Sequence, residues 1–325
     1  MNFHRAKTLL LAALALCFVI SLFENHIQNY WLGVFYDIGI NIILAVSLNL
    51  INGYTGQFSL GHAGFMAVGA YTAAVITNQI TSSSPGVSEV VFPAALLAGG
   101  LLAAVAGLIV GIPTLRLRGD YLAIVTLGAG EIIRVIIQNM DCIGGPRGYS
   151  VMHAWTNFFW VFGIAAVTVY VVLALVHSTY GRGFIAVQDD EIAASSVGIN
   201  TTKYKVTAFV IGAFFAGIAG GLYGHEKYFI SPDGFGFMKS FEIIVMVILG
   251  GMGNTPGVIL AAILLTLLPE GLRSLGDIEH VPGLSGEFPL SWISNTRMII
   301  YSLLLIVLML TRPQGLFVFK KRSAA

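Results

Sequence analysis

Long apolar runs separated by short polar segments occupy most of this chain. Each run approaches the roughly 20 residues that a helix needs to cross a bilayer, so each predicts a membrane-spanning helix. Backbone amides in lipid need internal partners, and unbroken runs of this length favour helices over a closed barrel. Seven such runs cover residues 8–23, 30–51, 58–77, 91–112, 121–137, 155–176 and 206–224.

A further apolar stretch, residues 241–268, is too long for one ordinary span. We interpret it as two segments, because a glycine-rich sequence interrupts it at Gly250, Gly251 and Gly253. A last run covers residues 295–311. The pattern therefore predicts an all-α fold, a polytopic integral membrane bundle with about eight to ten transmembrane segments, one of them broken or re-entrant.

The composition agrees with a chain that lies mostly in lipid. Hydrophobic residues make up 56% of it and charged residues only 10%, against roughly 25% charged in an average soluble domain. We treat residues 1–325 as a single transmembrane domain. The net charge of +1 argues against nucleic-acid binding, which needs a concentrated positive surface. Cys17 and Cys142 have no metal-ligand spacing, and neither a metal nor a cofactor is expected.

The distribution of Lys and Arg predicts the orientation. With the N-terminus inside, the inner loops and tails hold more of these residues than the outer ones, as the positive-inside rule requires. Both termini are then cytoplasmic if the number of crossings is even, or if the broken stretch 241–268 enters and leaves by the same face; treating it as two segments satisfies this. The outer loops are rich in acidic residues, which suits docking of a soluble partner through complementary charge.

A glycine-rich segment, residues 52–71, interrupts what would otherwise be a plain apolar helix. A broken helix at membrane depth is tolerated only where protein or a water-filled cavity surrounds it, so the segment either lines a pathway or forms a tight helix crossing. His62 on its own is more typical of a hydrogen-bonded packing residue than of a proton relay. The candidate pathway or packing residues here are Gly53, Gly56, Gly61, His62 and Gly64, together with Gly250, Gly251 and Gly253 of the later break.

Two further patterns favour structural roles. Small residues recur at every fourth position from Ala208 to Gly224, which predicts a helix-packing face. Glu131 and Arg134 lie three residues apart within a span, and charges there are costly unless they pair. A structural ion pair is favoured over a role in transport.

The most informative loop covers residues 178–205 and is the longest inner one. Acidic residues at 189–191 precede a helical turn, and Gly198 can end it in a left-handed conformation. The pattern predicts a short helix, residues 189–198, that lies at the cytoplasmic surface and could fit a groove on another protein. A solvated connector is the alternative.

Several motifs together resemble the branched-chain amino-acid ABC permease family, of the LivM type. The resemblance spans about residues 41–316, and the order and spacing of the motifs make it specific. The motifs are NLINGYTGQFSLGHAGFMAVGAY, GRGFIAVQDDEIAASSVGIN with the following KYKVTAFVIGAFFAGIAGGLYG, ILGGMGNTPG and RPQGL.

The resemblance implies a permease that works with other subunits in a bacterial inner membrane. A second homologous permease would share the pore, two ATP-binding subunits would dock on the inner face, and a periplasmic substrate-binding protein would deliver leucine, isoleucine or valine. The sequence has no G-x-x-x-x-G-K-[ST] phosphate loop, so the chain is expected to be a transport subunit, not an enzyme. By the same resemblance, the ATPase-coupling residues are Asp190, Glu191, Ala193, Ala194 and Gly198.

Three alternatives remain open from the sequence. Permeases for urea and short amides belong to the same superfamily, so the substrate could be one of these instead. Separately, the outer segment 275–292 looks longer than the family would suggest, and its role stays open. An ion-coupled secondary transporter also uses broken helices, but acidic residues in the spans are scarce. A channel is also compatible with the composition.

Overall fold

The computed structural model describes residues 3–24, 28–83, 88–114, 117, 119–153 and 155–276, and single positions at 299, 302, 303, 305–307, 310, 311, 315 and 316. Its helices are α1 (Phe3–Leu22), α2 (Asn29–Asn52), α3 (His62–Ser83), α4 (Ser88–Thr114), α5 (Asp120–Gln138), α6 (Phe158–Val176), α7 (Gly181–Asp189), α8 (Glu191–Ser196), α9 (Thr201–Lys227), α10 (Phe237–Gly250) and α11 (Thr255–Gly276). Two short strands, β1 (Tyr149–Ser150) and β2 (Phe229–Ile230), and three short 3₁₀ helices, Asp141–Ile143, Gly145–Arg147 and Pro232–Phe235, are also described. Most of the predicted run 295–311, and residues 277–292 of the outer segment, lie outside the described residues.

Six of the described helices are long and apolar enough to cross a membrane: α2, α4, α5, α6, α9 and α11. The polytopic helical fold predicted from the apolar runs is thereby confirmed. Large apolar side chains such as Leu101, Ile109 and Ile132 are mostly exposed on the outside of the bundle, as expected for side chains that face lipid acyl chains. The chain is a multi-pass membrane protein.

α3 differs from its prediction. It begins at His62, four residues later than the predicted run at 58, because the chain before it is not helical. Gly69 lies so close to the backbone of Gly217 in α9 that a Cβ there would overlap it, and a Cβ on Gly99 of α4 would lie 2.8 Å from the Gly69 carbonyl oxygen. α3 is therefore enclosed by other helices, and glycine at these contacts allows the close approach.

α9 is the central helix, and its small-residue face packs as predicted. A Cβ on Gly212 would lie 3.1 Å from the Ser47 carbonyl oxygen of α2. A Cβ on Gly220 would overlap the Met66 carbonyl of α3, and Gly224 faces Ala70 of the same helix. The stripe therefore brings α9 against both α2 and α3.

The 27 residues of α9 correspond to about 40 Å at 1.5 Å per residue, so its two ends mark opposite ends of the bundle. α7 and α8 precede its first residue, Thr201. β2 follows its last residue and pairs antiparallel with β1, with Tyr149 opposite Ile230. We call these the α7–α8 end and the strand end.

Candidate functional site

The first chain break lies between α2 and α3, in residues 53–61. After α2 ends at Asn52, the Tyr54 amide donates five residues back to the Asn49 carbonyl, which also accepts from the Gly53 amide, and the Gln57 amide donates to the Ile51 carbonyl at 3.2 Å. Gly56 has φ +66, a conformation that favours glycine. All these partners lie within the protein, as backbone groups at membrane depth require.

The second break lies between α10 and α11, in residues 251–254. Gly251 and Gly253 have φ of 90° and 78°, so both need the freedom of glycine. A Cβ on Gly250 would overlap the Cα of Val258, and the two helices thus touch where the chain turns between them. The division of the stretch 241–268 into two segments is confirmed.

The two breaks meet, although about 200 residues separate them along the chain. The Gly253 amide donates to Asn49 Oδ1 at 2.9 Å, and the Tyr54 and Thr255 hydroxyls are 2.9 Å apart. A Cβ on Gly53 would overlap the Gly253 amide. We call this contact between residues 53–56 and 251–255 the break junction.

Two other parts of the chain also reach the break junction. A Cβ on Gly56 would lie 3.5 Å from the Cα of Gln188, in the last turn of α7. The Leu316 amide donates to the Leu249 carbonyl at 2.7 Å, so the RPQGL motif ends beside the second break. The junction thus lies at the α7–α8 end of the bundle, and all four of the quoted sequence motifs meet at it.

The remaining glycines of the first segment lie at close contacts between helices. A Cβ on Gly61 would overlap the Thr126 carbonyl of α5, and one on Gly64 would lie 2.8 Å from the Cα of Gly130. His62 is 1% exposed, and its Nε2 lies 2.9 Å from the Ser47 hydroxyl. The structure therefore separates the predicted set into junction residues and residues at the contacts of α3 with α5 and α2.

A cluster of buried neutral polar side chains surrounds the first break. Within the described part of the chain, several of their atoms have no hydrogen-bond partner, and such atoms are costly to bury. Polar groups at membrane depth face the protein interior or water and mark functional regions. The cluster consists of Asn49, Asn52, Gln57, Ser59 and His62.

The loop 178–205 contains two helices rather than the single predicted helix 189–198. α7 ends at Asp189, and Asp190 is extended because it caps α8, its Oδ1 accepting from the Ile192 and Ala193 amides at 2.8 and 3.0 Å. α8 therefore begins at Glu191, not at Asp189. Gly198 follows α8 with φ +88, the left-handed ending that was expected.

α9 also begins within this loop, earlier than the predicted start at 206. The Asn200 side chain accepts from the Lys203 amide at 3.0 Å and caps the helix at Thr201. Sequence analysis missed this cap because the polar residues at 200–203 read as loop.

One side of α8 is fixed to the bundle and the other is open. Glu191 Oε2 lies 2.7 Å from Lys205 Nζ, a side chain only 7% exposed, and Ala194 is buried. Ile192 and Val197 are 63% and 78% exposed, and Ala193 is also exposed. Of the predicted coupling residues, Asp190, Glu191, Ala194 and Gly198 shape the helix, whereas Ala193 lies on its open surface.

At the strand end, the predicted ion pair forms. Arg134 Nε donates to Glu131 at 2.7 Å, and its Nη1 donates to Asp233 at 3.1 Å. Glu131 also accepts from the Phe237 amide at the start of α10. These contacts join α5 to the segment between α9 and α10 and to the start of α10. Over the part of the chain that the structure describes, no group of His, Cys, Asp and Glu could hold a metal ion.

This architecture, with a polytopic bundle, two touching chain breaks and a pair of surface helices beside them, is that of a membrane permease. The chain belongs to the family described as branched-chain amino acid transport system / permease component, whose model matches residues 30–309.

Curated relatives agree with that assignment. The chain is 35% identical over 312 residues to the high-affinity branched-chain amino acid transport system permease protein LivM of Salmonella typhimurium, covering 85% of this chain and 67% of that protein. It is 26% identical to the probable LivM of Methanocaldococcus jannaschii, over 88% and 91% of the two chains. LivH of Escherichia coli is 25% identical over 71% of this chain and 81% of its own length. No solved structure gives a significant match.

Proposed function

We propose that this chain is one of two permease subunits that form the pathway of an ABC importer for leucine, isoleucine and valine. A second homologous permease forms the other half. Two separate ATP-binding subunits drive transport from the cytoplasmic face, and a periplasmic substrate-binding protein delivers the amino acid. The family match and the LivM and LivH relatives support this assignment.

The observation that carries the mechanism is the contact of α7 with the break junction. ATP binding can move the pathway only through contacts that differ between states of the transporter. Ile192 and Val197, in and directly after α8, are exposed and available to a partner. α7 directly precedes α8 in the chain, and its Gln188 lies against Gly56 of the break junction. Movement of α7 and α8 by an ATPase subunit would therefore act directly on the two broken helices.

The same proposal places α7, α8 and both termini in the cytoplasm of a bacterial cell with an inner membrane. The excess of Lys and Arg in the segments assigned to that side supports it. Membrane lipid would surround the chain and contact the exposed apolar faces of α4 and α5.

Uptake by reconstituted complexes tests the proposed function. Proteoliposomes containing this chain, the second permease and the ATPase subunits are expected to accumulate leucine only with ATP inside and the binding protein outside. A complex whose ATPase lacks its phosphate-loop lysine is the matched control and should not accumulate it. Urea and acetamide, offered under the same conditions, are not expected to enter.

The opposite results would identify the alternatives. Accumulation by this chain alone under a proton or sodium gradient would make it a secondary transporter. ATP-driven uptake of urea or acetamide without leucine would place it among the amide permeases.

A further inference from the structure

A recessed cleft opens at the strand end of the bundle, where α2, α9, α10 and α11 diverge. Its volume is about 370 Å³, at the small end of the range for ligand pockets. At one side the Asn41 amide donates to the Thr266 hydroxyl at 2.9 Å, and Asn41 is only 5% exposed. Val34, Leu265 and Pro269 supply apolar surface beside these polar groups.

The charges in this cleft are mixed and nearly balanced. Lys227 Nζ lies 3.0 Å from Asp37 Oδ2, and Lys239 Nζ lies 2.9 Å from Glu242 Oε2. Glu270 also lines the cleft and accepts from the Tyr30 hydroxyl. The lining therefore holds two ammonium groups and three carboxylates, and Glu226, beside the lining, also accepts from Lys227 Nζ at 3.0 Å.

We propose that this cleft binds the zwitterionic head group of an amino acid on its way into the pathway, with lysine ammonium groups facing its carboxylate and carboxylates facing its ammonium. This inference rests on the proposed function for the nature of the substrate. The lysines would exchange part of their pairing with protein carboxylates for pairing with the ligand. Val34 and Leu265 give the apolar side chain of the amino acid a surface to contact.

The arrangement favours a zwitterion over other ligands. A cleft for an anion or for a cation concentrates one sign of charge, and this cleft carries both. A neutral amide such as urea would need only uncharged hydrogen-bonding groups. The cleft also lies at the end of α9 opposite α7 and α8, which is the outer side in the proposed orientation, where the substrate arrives.

Two substitutions test the cleft in the complete transporter. Glu242→Gln and Lys239→Met each remove one charge, and each is expected to lower the rate of leucine uptake about tenfold, since hydrogen bonds to charged groups are the stronger ones. Asp141→Asn is the matched control, because it also removes one carboxylate charge at the strand end, from an exposed side chain that does not line the cleft. It should transport at the wild-type rate. Membrane abundance of all three variants is measured alongside.

A protection experiment detects binding without relying on transport. In a background with both native cysteines replaced, Cys17→Ser and Cys142→Ser, Thr266→Cys places a thiol in the cleft, and Met152→Cys places a control thiol on an exposed side chain at the same end. Millimolar leucine should slow the reaction of Thr266→Cys with a small thiol reagent and leave Met152→Cys unchanged. Isoamylamine and 4-methylpentanoate, which each lack one charge of leucine, should not protect.

The outcomes separate the cleft from the proposed function. If the wild-type complex imports leucine while Glu242→Gln and Lys239→Met transport normally and Thr266→Cys is unprotected or unreactive, the cleft assignment is wrong and the proposed function stands. If those variants instead weaken capture of the substrate-binding protein and leucine gives no protection, the cleft is a docking surface for that protein. Absence of leucine import by the wild-type complex would overturn the proposed function itself.

Discussion

At the scale of single residues, the glycines of the two chain breaks are required for different reasons. Some adopt a positive φ, and at others a side chain would overlap a neighbouring group. Gly53 has an ordinary helical φ of −85°, so its requirement for glycine comes from its neighbours alone. A Cβ there would overlap both Asn49 Oδ1 and the Gly253 amide, and these two groups form the hydrogen bond that closes the break junction. Even one added methyl group is therefore expected to separate the breaks.

Gly53→Ala should destabilise the folded chain by about 1–3 kcal/mol, the usual effect of overpacking. Gly128→Ala is the matched control, because α5 leaves open space around that position and alanine favours a helix by about 0.5–1 kcal/mol over glycine. Thermal unfolding of both variants in detergent, followed by size-exclusion chromatography, gives the comparison. A midpoint for Gly53→Ala at or above that of Gly128→Ala would contradict the close contact at the junction.

At the scale of elements, an ion pair holds α8 to α9, and its two side chains differ in how much they are exposed. Lys205 is nearly buried, whereas Glu191 is a quarter exposed. Removing the partner of a buried charge is more costly than removing an exposed pair. Glu191 thus positions the surface helix, because its carboxylate pairs with Lys205 of the bundle.

Glu191→Lys should therefore place two cations together and release α8, lowering co-purification of the ATPase subunits and leucine-stimulated ATP hydrolysis by about tenfold or more. The exchanged pair, Glu191→Lys with Lys205→Glu, restores opposite charges and should recover most of both. Membrane abundance serves as the control for insertion. Should the exchanged pair remain as defective as Glu191→Lys, residue 191 would be a direct contact of the ATPase rather than a positioning residue.

At the scale of the whole molecule, chemical labelling at the two ends of α9 tests the orientation of the chain in the membrane. Cys142 is exposed and lies between α5 and β1, at the strand end, whereas Ser195 of α8 is exposed at the other end. With α7 and α8 in the cytoplasm, an impermeant maleimide should label the native Cys142 in spheroplasts. Ser195→Cys, in a background with Cys17→Ser and Cys142→Ser, should react only after lysis. The reverse pattern would invert the proposed topology.

The sequence predicted more of the fold than of the site. Apolar run length was enough to place most helices, and the fourfold spacing from Ala208 to Gly224 correctly predicted the packing face of α9. Helix ends were less accurate because they depend on side-chain caps, such as Asp190 and Asn200, that also occur in loops.

The break junction could not be predicted, because its partners are far apart in the chain. Gly53 and Gly253 were each identified as unusual glycines, but nothing in either segment indicates that they touch. Gln188 was overlooked for the same reason, since it is an ordinary polar residue until α7 places it beside Gly56. The coupling residues themselves stay a prediction.

The hydrogen bond from Gly253 to Asn49 also has a consequence for biosynthesis. The two residues are 204 positions apart, and ribosomes add about 5–20 residues per second. Asn49 therefore enters the bilayer roughly 10 to 40 s before its partner is made. During that interval α2 carries an incompletely paired polar patch, which lipid, the insertion machinery or a chaperone must tolerate. Nascent chains that stop before residue 253 should accordingly be preferred substrates of membrane proteases.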